Sequence, residues 1–128
     1  MARMTVSLVG GKVEISEGGR KGGNVRARPG RRIVWRSNPV SVGSFDLQFE
    51  RLSEGEGLLE SFSDWPFADV RAMGASSSVD HLDCRITTAK GVVVRVGDDS
   101  GIFKYSIAVT PNSGGAPVIV DPVIIIEK

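Results

Sequence analysis

The chain's one histidine and one cysteine stand three residues apart, in His81-Leu82-Asp83-Cys84. A cysteine nucleophile needs an imidazole close by to hold it as thiolate. In an extended segment residues three apart point to opposite sides, so this pair can meet only on a turn. The plainer expectation is a surface histidine and a buried or half-buried free thiol. Carboxylates crowd the stretch from Asp46 to Asp83, where nine acids face only Arg51 and Arg71. Paired-carboxylate hydrolysis requires two of them at a defined separation, and no spacing singles out two. Gly18 to Gly23 is glycine-rich, yet it lacks the Gly-Lys-Ser/Thr ending of a phosphate loop and leads into no helical pattern. The expectation is no catalytic residue, no cofactor and no metal site.

The strongest binding signal is a basic run. Arg20, Lys21, Arg26, Arg28, Arg31, Arg32 and Arg36 follow one another with no acid between them. Strand parity puts Arg26 and Arg28 on one face, opposite Val25 and Ala27. It likewise puts Arg32, Val34 and Arg36 opposite Ile33 and Trp35. If the two strands are neighbours, Arg26, Arg28, Arg32 and Arg36 make one stripe. Such a stripe suits an acidic protein surface, on a second copy or on a different protein. Nucleic-acid or other polyanion binding is the alternative. Single-strand binders usually add exposed aromatics for stacking. The eight aromatics here fall mostly on apolar faces. Trp65-Pro66-Phe67 offers a second candidate contact, because tryptophan is enriched at interface centres. Its competing reading is a loop that tucks Trp65 and Phe67 over the end of the core.

These residues must be carried by short strands. Thr5–Val9, Lys12–Ile15 and Asn24–Arg28 read as strands. Pro29-Gly30 signals a tight turn, and Ile33-Val34-Trp35 follows as another strand. Phe45, Leu47 and Phe49 alternate with Asp46, Gln48 and Glu50. Arg85–Thr88 and Val92–Val96 are strand-like, and Phe103, Tyr105, Ile107 and Val109 share a face. Val118–Val120 and Val123–Ile126 flank a break at Pro122. Residues 53–80 read as a long irregular excursion, with one helical turn over Gly55–Glu60. Trp35, Phe45, Leu47, Phe49, Phe103, Tyr105 and Ile107 are the expected core.

With 128 residues, 41% apolar and 24% charged, the chain fits one globular domain over residues 1–128. A single cysteine excludes a disulfide within the chain. No apolar run nears the roughly 18–20 residues that span a bilayer, and the N-terminal apolar run is too short for a signal-peptide core. The expectation is a cytoplasmic protein with no membrane contact. About eight short strands without an amphipathic helix give an all-β, two-sheet Greek-key sandwich, with an immunoglobulin-like sandwich as the alternative.

The order of the pieces resembles the cupredoxin-like family. Arg28-Pro29-Gly30-Arg31-Arg32-Ile33-Val34-Trp35-Arg36-Ser37-Asn38 is similar to the family's proline-glycine turn and tryptophan strand. Gly101-Ile102-Phe103-Lys104-Tyr105-Ser106-Ile107 is similar to its glycine-aromatic strand. The ending Asp121-Pro122-Val123-Ile124-Ile125-Ile126 looks like that of copper-free relatives. A blue-copper site needs two histidines, a cysteine and usually a methionine. Pro39–Phe49 has no histidine, and Ser106–Gly115 has no Cys, His or Met. The resemblance therefore implies a metal-free scaffold. On these grounds the chain is expected to be a non-catalytic protein-interaction or self-assembly module.

Overall fold

The computed structural model describes residues 1–55 and 58–127, with side chains described outside 54–59. It is an all-β, two-sheet sandwich. The strands are β1 (Ala2–Val9), β2 (Lys12–Glu17), β3 (Arg20–Lys21), β4 (Val25–Ala27), β5 (Arg32–Ser37), β6 (Val42–Gly55), β7 (Leu58–Ser63), β8 (Phe67–Met73), β9 (Ser78–Asp80), β10 (Arg85–Thr88), β11 (Gly91–Val96), β12 (Gly101–Pro111), β13 (Val118–Val120) and β14 (Val123–Ile126). One sheet runs β3-β2-β1-β5-β11-β8. The other runs β4-β14-β12-β6-β10-β9, with β13 added to β12 and β7 to β6. Both are mixed, through the parallel pairs β1–β5 and β4–β14.

Alternation along the strands decides what faces the interior. β1 buries Ala2, Met4 and Val6, and β12 buries Phe103, Tyr105, Ile107 and Val109. All seven residues expected in the core are at most 1% exposed. Trp35 of the first sheet meets Phe49 and Tyr105 of the second edge-on, at centroid distances of 6.1 and 5.6 Å.

The stretch 53–80 departs from the expected irregular excursion. β6 continues to Gly55 and β7 returns along it in antiparallel register, while β8 forms the edge of the six-stranded sheet and β9 that of the other. β8 carries no regular alternation of buried and exposed positions. No hydrophobic period marks such a strand. The helical turn expected over Gly55–Glu60 is replaced by strand at Gly55 and Leu58–Glu60; Glu56 and Gly57 lie outside the described residues.

Tyr105 ties the core to an early loop. Its hydroxyl donates to the Gly23 carbonyl and lies 3.9 Å from Met4 Sδ. Burial pushes this phenol well above its ordinary range; the nearby indole N–H of Trp35 pulls the other way, and the charge of Glu17 adds a smaller rise. The folded state therefore keeps a proton that the unfolded chain releases above about pH 10. This contribution is full below that pH and falls by up to about 1.4 kcal/mol per pH unit above it. Tyr105 is the only tyrosine, so phenolate ultraviolet absorbance reports on it alone. In an alkaline titration that absorbance should rise only together with unfolding; a rise at about pH 10 in folded protein would contradict the assignment.

Candidate functional site

The two sheets turn very different outer faces to solvent. The register of β1, β5, β11 and β8 lines up three rows of outward side chains on the six-stranded sheet. One row holds Arg32, Arg95 and Asp69. The next holds Arg3, Val34, Val93 and Arg71. The third holds Thr5, Arg36, Gly91 and Met73. Arg3, Arg32, Arg36, Arg71 and Arg95 are all exposed, whereas Val34 is buried and Val93 half-buried between them. Arg71 is bound by Asp69, Nε to Oδ2 at 3.1 Å. The other four make no ion pair among the described residues.

The size of this face follows from strand geometry. Arg32 and Arg36 are four residues apart on one strand, about 13 Å at 3.3 Å per residue. β1 to β8 spans three strand spacings, about 14 Å. Five guanidinium groups over such an area make a concentrated positive field around two valines. Arginine here has a property lysine lacks: its planar fork holds a carboxylate or phosphate through two parallel hydrogen bonds.

The expected stripe is corrected in one respect. Arg32 and Arg36 belong to this face. Arg26 and Arg28 do not, because β4 pairs with β14 in the opposite sheet, and the Pro29-Gly30 turn carries the chain from one sheet to the other. Arg26 is moreover held by Glu127 at 2.6 Å. In their place the fold brings in Arg3, Arg71 and Arg95 from distant parts of the chain. Of these three, the sequence pattern places only Arg95 in a strand; Arg3 lies before the first expected strand, Arg71 lies in the expected irregular stretch, and which strands are neighbours is not legible.

Trp65 and Phe67 are half-buried and pack on the core. Phe67 meets Phe49 at 4.9 Å and Trp35 at 6.3 Å, and Trp65 meets Phe49 at 6.2 Å. Their rings pack against the core, as the loop-tucking reading expects, while each stays partly exposed. The acid beside them is engaged too: Asp64 binds Arg51 at 2.7 Å, and that guanidinium stacks on Phe103 at 4.5 Å.

His81 and Cys84 do lie on a turn, which Asp80 organises by accepting from the amides of Leu82 and Asp83 at 3.0 and 3.1 Å. The histidine ring packs edge-on against Trp65 at 5.1 Å. The buried thiol of Cys84 faces the His81 carbonyl at 3.6 Å. Burial pushes this thiol up, and Asp64, Asp80 and Asp83 push it further. A nucleophilic cysteine needs the opposite shift. Among the described residues no group of three or more His, Cys, Asp or Glu side chains could hold a metal ion. Neither protein-family models nor curated proteins match the chain.

Proposed function

We propose that this sandwich is a non-catalytic binding module whose arginine face docks the acidic surface of a protein partner. The observation that carries the reading is the row arrangement itself. Four arginines with no ion pair among the described residues, and one paired arginine, surround Val34 and Val93 on adjacent strands. An apolar centre rimmed by arginine is what protein interfaces favour. On the eight-stranded sheet Asp46, Asp121 and Glu127 are engaged by Arg85, Lys104 and Arg26, while Glu50 and Glu60 make no ion pair among the described residues, so acidic groups are offered by a second copy as well as by a foreign protein. The scaffold reading remains a copper-free cupredoxin-like sandwich. Two parallel strand pairs speak for it over the immunoglobulin alternative, whose sheets are antiparallel.

Poly-glutamate is the simplest probe. The native chain should bind it, and more weakly as salt rises from about 50 to 200 mM, since exposed charges are screened over about 8 Å at physiological salt. Changing Arg32, Arg36 and Arg95 together to Glu should weaken binding by at least about tenfold, at roughly 0.5 kcal/mol or more per exposed contact. Changing Arg26 and Arg28 to Glu on the other sheet should leave it intact. Equal losses in both variants would remove the assignment to this face. Salt-dependent binding to duplex DNA far tighter than to poly-glutamate would replace the protein partner with nucleic acid.

A further inference from the structure

The arginine face is not uniform, and its upper row carries more than a diffuse field. Arg32 and Arg95 stand directly opposite each other in the β5–β11 register. Directly opposed side chains have Cβ atoms about 5 Å apart, and like charges there repel. The neighbour that could relieve them is Asp69, which pairs with Arg95 across β11–β8. Its carboxylate instead binds Arg71 on its own strand at 3.1 Å. Arg71 is thereby compensated, and Arg32 and Arg95 stand side by side with no ion pair among the described residues. A depression of about 530 Å³ opens at this point, bounded by Arg32, Asp69, Arg71 and Arg95, with Met73 and Val93 also lining it. Arg3 and Arg36, on the same face, do not line it.

Resting on the reading of the arginine face as a protein-docking surface, we propose that Arg32 and Arg95, with Arg71 beside them, form a subsite for a phosphoryl dianion that the partner presents as phosphoserine or phosphothreonine. Charge matching carries the choice. A phosphomonoester brings nearly two negative charges and three acceptor oxygens at neutral pH. It neutralises both guanidiniums and can accept a fork from each. A carboxylate or a phosphodiester brings one charge and leaves the second arginine uncompensated. The face also holds no aromatic side chain on which a nucleic-acid base could stack.

The test follows the arginine Nε–H signals of the full chain by NMR. Inorganic phosphate should shift those of Arg32 and Arg95 more than that of Arg36. An acidic peptide carrying phosphoserine should bind at least about tenfold tighter than the same peptide with serine. R32K and R95K keep the charge but lose the fork, so each should cost most of that preference while poly-glutamate binding stays within about twofold. The charged groups facing the subsite are Asp69 and Arg71 on β8, Arg95 on β11, Arg32 on β5 and Arg3 on β1. Binding of the phosphoserine peptide should weaken by about tenfold between roughly pH 7.5 and pH 5, as the second charge of the phosphomonoester is lost near pH 6. Sulfate, a dianion throughout, should not weaken; a parallel loss for sulfate would show that the second phosphoryl charge is not what the site reads and would count against the subsite. Equal affinity for the two peptide forms, or Lys variants that keep the full preference, would overturn it. If poly-glutamate still binds in that case, only the subsite falls; if it too fails to bind, the docking reading falls with it. Tighter binding to duplex DNA than to the phosphopeptide would overturn the phosphoprotein assignment in favour of a phosphodiester backbone.

Discussion

Gly91→Ala is expected to lower stability by more than about 3 kcal/mol, a cost large for a single methyl group. Gly91 opens β11 with φ +153°, and a Cβ there would sit 2.4 Å from the Trp35 carbonyl oxygen and 3.2 Å from Arg36 Cα. Both are backbone atoms of the paired strand, so no rotamer change relieves the clash. The turn before it is equally fixed. The Gly91 amide donates to Thr88 Oγ1 at 3.0 Å, and that hydroxyl donates to the Gly91 carbonyl at 2.9 Å, with Thr88 fully buried. The strands β5 and β11 would have to part at this end. Gly114→Ala supplies the comparison, because Gly114 has φ +85° with nothing within 4 Å of its would-be Cβ. It should cost only about 1–2 kcal/mol, the backbone term alone. Urea denaturation of the two variants separates sterics from conformation; equal midpoints would mean that the close approach at Gly91 is not limiting. Because β5 and β11 also carry Arg32, Arg36 and Arg95, Gly91→Ala should weaken poly-glutamate binding as well.

Phe49→Ala should have an effect of at least the same size, about 4–5 kcal/mol. Phe49 is fully buried and is the hub of the aromatic cluster. It stacks on Tyr105 at 5.6 Å and meets Trp35, Trp65 and Phe67 edge-on at 6.1, 6.2 and 4.9 Å. Truncation removes apolar surface from the interior and leaves a cavity among rings that cannot collapse into it. Against a total of about 5–15 kcal/mol for a domain, the loss is a large share of the fold's stability. The melting temperature should fall on the order of 15 °C. Trp65 and Phe67 lose their anchor in this variant, so tryptophan fluorescence should also report greater exposure at that end of the sandwich. An unchanged melting temperature would mean that the sheet faces are wrongly assigned.

Alternation in the sequence determined the fold class and the inward faces. Phe45, Leu47 and Phe49, and Phe103 through Val109, could face nowhere but a core, because a period of two puts every second side chain on the same side. The same period determined that Arg32, Arg36 and Arg95 point outward. It could not determine which strands lie side by side, since hydrogen-bond ladders form between segments at any separation along the chain. The parallel pairing of β1 with β5, and the insertion of β11 between β5 and β8, are decisions of the tertiary structure. They gather Arg3, Arg32, Arg71 and Arg95 on one face and send Arg26 to the other sheet, although Arg26 stands only six residues before Arg32. The strand β8 was hidden for a related reason: its positions do not alternate between buried and exposed, so its place is set by the neighbour it joins.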